Sequence, residues 1–518
     1  NDHFLVKKLK NKKTYLFYVT AGKTKKESSS DSQPSAKKKM TMKKYNLYLL
    51  LLIVILSSCS DFLEESSQDL MIPKSVKDYK ELLFGEILKN GEVLHPYLEY
   101  MTDDVKDQCY YGTNPGVISN DFRESVWAYY TWQANPEVGK LNEFTADNAW
   151  VSYFHKILMT NIILDNLPKM TGTDIERQDL AGEAYFMRAF SYFMLANLYG
   201  QPYHPATADQ DLCVPVNNEI SLSDKMMRRA TNSVVYAQME KDINRAIQCF
   251  KMVGGEKSIY RPNLPGAYLL ASRIALFQEK YDQTILYCDS VFKVSSHALY
   301  KLKEKDDNYF FSLANKEILF SYGTTTLESY MREDFRYAGE LVVSDDLLKQ
   351  YSADDLRVTN FFKHTKGSQR RPVAKEYNIY TPIKWSRNSA TVYSNAFRIS
   401  EAYLNRAEAF AELGNTNKAL ADLNELRENR MKPGTPPLAV DEDGIVATVR
   451  KERRRELAFE GFRWFDLRRY GCPPLKHTYS SKENEGAGDV FELKEKGSYV
   501  LPIPKSERER NTEIEIFD

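Results

Sequence analysis

A dense apolar pattern with helical spacing occupies residues 184–195. Thr173 precedes this pattern and Glu176 follows three residues later, the arrangement of a capping box that satisfies the first amides of a helix. Gly200 lies just past the pattern, where glycine commonly ends a helix. The spacing therefore predicts a helix from about residue 174 to 197. Because apolar residues occupy nearly every face of it, we expect this helix to be buried on several sides.

Two further helical patterns, at 268–288 and 403–423, overlay position by position. Large residues alternate with small ones in both patterns. The positions that overlay are Tyr268 and Tyr403, Ser272 and Ala407, Ala275 and Phe410, Tyr281 and Thr416, Thr284 and Ala419, and Cys288 and Leu423. This alternation is typical of a tetratricopeptide-like unit, in which two helices are joined by a tight turn, here Gly414-Asn415. Residues 148–167 with 176–198 make a third candidate unit, and 234–250 belongs to another. One hairpin cannot bury its own apolar faces, so the pattern predicts a mainly α scaffold of stacked hairpins.

The helical spacing stops between residues 299 and 385. Residues 318–322 indicate a short strand, whereas 334–337, 366–371 and 377–385 are polar and aromatic without a helical period. We expect long loops here, laid over the helical scaffold. Long loops in a compact domain are usually functional, so we expect a functional role for this region.

An unbroken apolar run at residues 47–56 lies between Lys43-Lys44 and the sequence Ser57-Ser58-Cys59. A basic start, a short apolar stretch, small residues and a cysteine are the layout of a bacterial lipoprotein signal. The run is shorter than the roughly 20 residues that span a bilayer. We therefore expect the signal to be removed and Cys59 to carry lipid at the new N-terminus. The alternative is a buried strand that ends in a chance cysteine.

These features divide the sequence into three parts. Residues 1–39 are rich in lysine and serine and are interpreted as an upstream extension outside the working protein, and residues 40–58 as the signal peptide. Residues 59–518 are the mature domain, with an N-terminal part at about 59–230 and a C-terminal part at about 231–518.

Charge and composition narrow the class of function. The whole chain has 71 basic and 71 acidic side chains, but lysines dominate the part that precedes Cys59, so the mature part is acidic. Such a balance argues against a nucleic-acid-binding face. The cysteines after Cys59 are scattered without metal-ligand spacing, and no nucleophile elbow, His-Glu-x-x-His or phosphate-binding loop occurs. We expect no enzyme activity, catalytic residue, metal or cofactor.

Three segments and the C-terminal tail carry a resemblance to a known family. They are residues 182–202, which begin Gly-Glu-Ala-Tyr-Phe-Met-Arg-Ala-Phe, residues 398–409, residues 452–469, and the tail from Leu501-Pro-Ile-Pro504 to Asn511. In this order, behind a lipoprotein signal, they resemble the SusD/RagB family of outer-membrane nutrient-uptake lipoproteins. The acidic cluster after Cys59 also resembles the surface-export signal of Bacteroidetes lipoproteins.

The resemblance implies a lipid-anchored protein on the surface of the outer membrane, with tetratricopeptide-like helices and a loop-rich ligand face. It further implies a SusC-like TonB-dependent transporter as partner. Most relatives of this kind bind oligosaccharide, and the RagB branch binds peptide, so oligosaccharide is the expected ligand and peptide the alternative. A tetratricopeptide adaptor that binds other proteins is a further alternative from a different class.

The third segment also raises the question of catalysis. Glu452, Glu456 and Glu460 lie four residues apart, which places them on one stripe of a helix, and arginines surround them. A glycosidase needs two carboxylates across a cleft. An arginine-rich row on one helix instead predicts charge pairing with arginines of this and neighbouring helices.

Aromatic side chains in loop-like contexts are the candidates for ligand contact. A ring covers the CH face of a sugar with a large, rigid area. The candidate ligand-binding residues are Tyr110, Tyr111, Trp127, Tyr330 and Trp385. Asp103 and Asp104 are expected either to accept hydrogen bonds from a ligand or to cap a helix.

Overall fold

Local sequence signals set the start of the central helix, Asp174–Tyr199. In the computed structural model the Thr173 hydroxyl accepts the Glu176 amide at 3.2 Å, and the Glu176 carboxylate accepts the Thr173 amide at 2.8 Å. The predicted capping box is confirmed. From Leu180 to the end of the helix every residue is buried except Tyr185, which is half-buried. The expected burial on several faces is therefore confirmed as well.

The structure describes residues 73–88, 96–109, 121–140, 142, 148–220, 226–304, 309–323, 331, 339–369, 375–384, 395–480 and 488–516. Residues Ser75–Asp518 form one compact unit. The α-helices within the described residues are α1 (Val76–Leu83), α2 (Asp121–Ser125), α3 (Trp127–Tyr130), α4 (Ala149–Asn166), α5 (Asp174–Tyr199), α6 (Asn232–Val253), α7 (Leu264–Phe277), α8 (Tyr281–Val294), α9 (Asp345–Lys349), α10 (Arg357–Phe361), α11 (Ile399–Glu412), α12 (Thr416–Glu428), α13 (Ile445–Leu457), α14 (Arg463–Arg469) and α15 (Lys505–Arg510).

The strands within the described residues are β1 (Val105–Cys109), β2 (Ile318–Tyr322), β3 (Gly339–Val343), β4 (Phe362–Gln369), β5 (Lys375–Pro382), β6 (Asn395–Arg398), β7 (Leu475–Tyr479) and β8 (Asp489–Leu493). They form four two-stranded antiparallel sheets, which pair β1 with β3, β2 with β6, β4 with β5 and β7 with β8. The predicted strand at 318–322 is confirmed as β2.

The helices form the predicted scaffold, because each long helix packs against its neighbours in a continuous series. Helix α5 packs between α4 and α6, α7 packs between α6 and α8, and α11 packs against both α8 and α12. Helix α13 then packs against α11 and α12. The mainly α fold with tetratricopeptide-like hairpins is confirmed.

The repeat of the two helical hairpins is confirmed at the turns between their helices. Helices α7 and α8 have the same lengths and turn as α11 and α12 to within one residue. Gly414 in the second turn has φ of +76°, and Glu279 at the matching position of the first turn has φ of +59°. Glycine adopts this left-handed conformation freely, whereas a side chain there costs about 1–2 kcal/mol. The same turn geometry therefore forms in both hairpins, and in the first hairpin the left-handed backbone of Glu279 lowers stability.

Gly200 ends α5 for a reason other than the one its position suggests. Its φ is −82°, so it is not a left-handed cap, but a Cβ there would lie 2.7 Å from the sulfur of Cys213. The last carbonyls of the helix are instead capped by arginines. Arg229 donates to the carbonyl of Tyr199 and Arg468 to that of Gly200, both at 2.5 Å. Close packing, not backbone conformation, explains the glycine.

The expectation of long loops at 366–371 and 377–385 is wrong for the described part of these residues, because β4 and β5 form a paired hairpin there. Their register joins Phe362 with Pro382 and His364 with Tyr380. Pairing along both strands satisfies the backbone of a segment whose side chains show no helical period. One face of β5 is buried at Ile379 and Thr381, which accounts for the ordered structure.

The expected stripe of three glutamates on one helix is also only partly right. Helix α13 ends at Leu457, so Glu452 and Glu456 lie on it and Glu460 does not. The chain turns through left-handed conformations at Phe459 (φ +61°) and Gly461 (φ +79°). This turn ends the helix but leaves Glu460 near Glu456, because Arg398 pairs with both carboxylates.

Candidate ligand-binding face

Of the five predicted ligand-contacting rings, Trp127 lies within the described residues. Outside the described residues lie the other four and the predicted lipidation site: Tyr110, Tyr111, Tyr330, Trp385 and Cys59. The structure therefore gives the surroundings of Trp127 directly. It also shows how the described chain next to the other rings is held.

Trp127 is half-buried at the start of the short helix α3. Its indole meets Phe491 of β8 edge to face, with ring centroids 6.1 Å apart and an angle of 85° between the planes. The next turn is closed by Thr131, whose hydroxyl and amide both donate to the Trp127 carbonyl, at 2.7 and 2.9 Å. Trp127 is thus a rigidly placed ring with part of its surface still open.

A stack of three rings fixes the segment that carries Trp127. His477 of β7 lies between Tyr130 and Trp132, with both centroid distances at 4.2 Å. The Trp132 indole N–H donates to the Met101 carbonyl at 3.0 Å. Trp132 itself has φ of +53°, a conformation that is costly for a bulky side chain and occurs where the surroundings hold it in place.

Both nitrogens of the buried His477 ring face backbone carbonyls. Nδ1 lies 2.6 Å from the carbonyl oxygen of Tyr130, and Nε2 lies 2.9 Å from that of Thr102. Burial lowers the pKa of His477, although both carbonyls favour its protonated form. A ring held on both sides and at both nitrogens locks the β7–β8 hairpin to the segment around Trp127.

Sequence reasoning missed His477 and Phe491. A signal was present, because Leu475, His477 and Tyr479 alternate with exposed residues and are buried in the structure. Alternation with period two predicts a strand with one buried face. The rings that stack on this histidine, however, belong to a distant part of the sequence, before helix α4.

Lys384 precedes Trp385 and anchors the end of that segment. Its side chain is buried, and its ammonium donates to the Glu456 carbonyl at 3.0 Å and to the Glu460 carboxylate at 2.6 Å. Burial lowers the pKa of Lys384, while Glu460 opposes that effect. The Lys384 carbonyl also accepts the Phe311 amide at 2.8 Å. The chain is therefore firmly held up to the residue before Trp385.

Two other candidate rings also adjoin well-held residues. Strand β1 ends at Cys109, directly before Tyr110, and Met331, directly after Tyr330, is buried in the main core. Strand β1 pairs with β3 and packs against β7, and β3 packs against β5. The strands β1 and β5 lead toward Tyr110 and Trp385, and the β7–β8 hairpin lies beside Trp127. The contacts in this series make the three elements neighbours.

Asp103 and Asp104 both pair with arginines in the structure. Asp103 forms a two-point ion pair with Arg463, with both N–O distances at 2.7 Å. Asp104 is fully buried and accepts from Arg454 at 2.7 Å. Burial raises the pKa of Asp104, and the neighbouring Asp103 raises it further. These carboxylates join the strand β1 segment to helices α13 and α14.

A cluster of buried charges surrounds the glutamates of the third segment. We call it the buried charge cluster, and its members are Glu317, Asp355, Arg357, Lys384, Arg398, Arg430, Glu452, Glu456 and Glu460. At its centre Glu456 contacts Arg430 at 2.9 Å, Arg398 at 3.0 Å and Arg357 at 3.2 Å. The predicted pairing with arginines is confirmed.

The electrostatics of this cluster are those of a structural element. Burial alone would raise the pKa of Glu456, but Arg430 and Arg398 hold it well below its usual range. The pKa of Glu452 is likewise held well below its usual range by Arg357 and Arg455, against the effect of burial. A general acid requires a raised pKa and access to substrate. Neither carboxylate meets these requirements.

A cavity of about 390 Å³ lies elsewhere, beside α1 and the start of α5. It is lined by Lys77, Lys80, Glu81, Phe84, Asp179, Glu183, Lys257 and Arg261. Most of its charged groups pair with one another, since Asp179 contacts Lys80 at 2.6 Å and Lys257 at 2.5 Å, and Glu183 contacts Lys257 at 2.7 Å and also pairs with Arg261. The cavity therefore presents a largely neutralised surface.

Within the described ranges no group of three or more histidine, cysteine, aspartate or glutamate side chains is arranged to hold a metal ion. None of the helices in those ranges is both long and apolar enough to cross a bilayer.

Comparison with known families identifies the class of protein. A model of the SusD family matches residues 283–515, and a model described as "Starch-binding associating with outer membrane" matches residues 61–276. Together the two matches span most of the chain. The chain belongs to the SusD/RagB family, and the resemblance drawn from its sequence motifs is confirmed.

Individual relatives agree with this assignment. SusD-like protein P25 of Formosa agariphila is 21% identical over 483 residues, which cover 80% of this chain and 87% of the relative. A SusD superfamily protein of Bacteroides thetaiotaomicron superposes with a TM-score of 0.66 at 21% identity, covering 85% of this chain and 99% of that one. A SusD-like carbohydrate binding protein of Bacteroides vulgatus superposes with a TM-score of 0.65 at 19% identity, covering 85% and 97%.

Proposed function

We propose that this protein is a surface-exposed lipoprotein of the outer membrane that captures oligosaccharide and delivers it to a SusC-like TonB-dependent transporter. In this proposal Cys59 carries the lipid anchor. Trp127, Tyr110, Tyr111, Tyr330 and Trp385 contribute rings to the ligand-binding face. The protein binds its ligand without chemical conversion.

The observation that carries the proposal is the setting of Trp127. Its ring is half-open, yet its helix is fixed by the stack of Tyr130, His477 and Trp132. A ring placed in advance loses little conformational entropy on binding and covers the CH face of a sugar. Family membership supports the choice of ligand, since one family model is described as starch-binding and one solved relative as carbohydrate-binding.

The ligand-binding part is tested with the double variant Trp127→Ala/Trp385→Ala on an array of oligosaccharides. We expect the wild type to bind and the double variant to lose binding, with unchanged helical content by circular dichroism. Leu286→Ala is the control, because Leu286 is an exposed apolar residue on the scaffold helix α8. Full binding by the double variant would remove these two rings from the ligand face.

A peptide array run in parallel separates the two ligand classes. Retention of peptides by the wild type, with no retention of glycans, would replace the oligosaccharide proposal by the RagB-like alternative. Incubation of a bound oligosaccharide with the protein should return it uncleaved. A shortened product would contradict a role limited to binding.

The anchor is tested with Cys59→Ala in cells. Without the thiol there is no site for acylation, so we expect the variant to leave the membrane fraction, whereas the wild type stays in it. Accessibility of the wild type to protease added to whole cells reports its exposure on the surface. Membrane association that persists in the variant would point to a different anchor. Co-purification with a TonB-dependent barrel from solubilised outer membranes tests the transporter partnership.

A further inference from the structure

The β4–β5 hairpin carries a pair of stacked rings on its outer part. His364 and Tyr380 lie directly opposite each other in the antiparallel register. Their rings are nearly parallel, with centroids 4.4 Å apart and an angle of 6° between the planes. His364 is exposed and Tyr380 is half-buried. The imidazole face turned away from Tyr380 is therefore open to solvent.

Polar groups on the same face of the hairpin lie beside the ring pair, and one of them is hydrogen-bonded to the imidazole. The imidazole Nε2 is hydrogen-bonded to the amide oxygen of Asn378 on the opposite strand. Lys366 is paired with Asn378 in the register and lies two residues from His364, so all of these residues share one face of the hairpin. Lys366 and Asn378 are exposed. This face thus combines a flat ring with an ammonium and an amide alongside it.

The root of the hairpin explains why the pair does not move freely. On the same face Phe362 is buried and meets Tyr351 and Phe459 edge to face. The opposite face is buried at Ile379 and Thr381. The hairpin is anchored in the core at one end and presents the ring pair at its exposed part.

We infer that the His364–Tyr380 pair is a stacking platform for one sugar ring of an oligosaccharide, with Asn378 and Lys366 as hydrogen-bonding groups at its edge. The inference rests on the proposed function and adds a subsite that does not include Trp127. A pyranose ring places its CH face on the open side of the imidazole. Its hydroxyl groups then meet the amide and the ammonium, which donate hydrogen bonds.

A cross-strand ring pair also stabilises a hairpin, by about 0.2–1 kcal/mol. That contribution alone does not require an exposed outer ring or polar partners beside it. The two explanations differ in what they predict for a ligand. A purely structural pair changes the stability of the hairpin, whereas a platform changes affinity even when stability is preserved.

The test uses soluble wild-type protein and three variants on an array of neutral oligosaccharides that covers α-glucans, β-glucans, mannans and galactans. His364→Ala removes the outer ring, and we expect dissociation constants about five- to tenfold weaker for the oligosaccharides that the wild type binds, the range of a lost ring contact. His364→Phe keeps a flat ring and should retain most of the affinity. Lys363→Ala is the matched control, because Lys363 is exposed on the other face of the same strand.

Thermal unfolding of each variant accompanies the binding measurement. Weakened binding by His364→Ala, with retained binding by His364→Phe and a melting temperature like that of Lys363→Ala, supports the platform. Equal affinity of wild type and His364→Ala overturns it, and the proposed function still stands if the Trp127→Ala/Trp385→Ala variant loses binding. A wild type that binds no oligosaccharide on the array overturns both.

Discussion

Replacing Glu456 by glutamine tests the structural interpretation of the third motif. The carboxylate is fully buried and lies within 3.2 Å of guanidinium nitrogens from Arg357, Arg398 and Arg430. Glutamine has the same shape, but it removes the negative charge and points an amide N–H toward one of these donors. Breaking a buried ion pair in this way costs about 3–5 kcal/mol. Because glutamine keeps one acceptor oxygen, we expect a loss at the lower end of this range.

Unfolding by the denaturant guanidinium chloride, followed by circular dichroism at pH 7, measures this loss of stability. Glu425→Gln is the control, because Glu425 is exposed on helix α12 and its substitution should change the free energy of unfolding by less than about 0.5 kcal/mol. A Glu456→Gln variant as stable as this control would refute the assigned role of the arginines. A variant of normal stability that lost a hydrolytic activity of the wild type would instead support a catalytic carboxylate.

The pairing of Glu452 and Glu456 with arginines also predicts that the stability of the protein depends on pH in the acid range. Arginines hold the pKa of Glu452 and Glu456 well below their usual range, against the effect of burial. A carboxylate with a depressed pKa in the folded state contributes stability above its unfolded pKa of about 4.3 and loses it as the pH falls further. We therefore expect wild-type stability to decline steeply below about pH 4.3 and the Glu456→Gln variant to decline less. Parallel acid-unfolding curves for the two proteins would contradict this account.

Two further predictions concern single positions. Burial raises the pKa of Glu99 to about 8. Between about pH 4.5 and 8 the folded state therefore keeps a proton that the unfolded state loses. In this range Glu99 should make the free energy of unfolding fall by about 1.4 kcal/mol per pH unit. Glu99→Gln should remove that slope, and denaturant unfolding from pH 5 to 9 would show the wild type and the variant diverging, while parallel curves would contradict it. At the two matching turns, Glu279→Gly should leave stability unchanged or raise it by up to about 1 kcal/mol, whereas Gly414→Ala should lower it by about 1 kcal/mol, because both positions have positive φ. Thermal unfolding measures both changes, and a loss of stability in Glu279→Gly would show that its side chain makes a compensating contact.

The helical scaffold was predictable because its signals are local. The capping box of Thr173 and Glu176, and the equal spacing of the α7–α8 and α11–α12 hairpins, depend on residues within a few turns of each other. Side chains three and four apart share a helix face, so the sequence itself shows which face is apolar. The same reasoning predicted the arginine pairing of Glu452 and Glu456, since unpaired buried charges are costly.

The β4–β5 hairpin shows where such reasoning fails. Residues 366–371 and 377–385 lack a helical period and were therefore expected to be loops, although residues 362–369 and 375–382 pair along their full length. Polar and aromatic residues form strands when a partner strand and a buried face are available. The exposed His364 and the buried Ile379 acquire their roles only from that pairing and from the core beneath it.

The amino-acid sequence by itself determined the family, the stacked helical hairpins and the need to pair the glutamates of the third motif, because each rests on short-range spacing or on the cost of burying charge. The tertiary structure alone decided which groups meet across the chain. Asp103 pairs with Arg463, and His477 stacks between Tyr130 and Trp132, contacts that join the beginning of the described chain to its C-terminal part. Such pairs leave no periodic trace in the sequence, since their proximity follows from how the completed helices and strands pack.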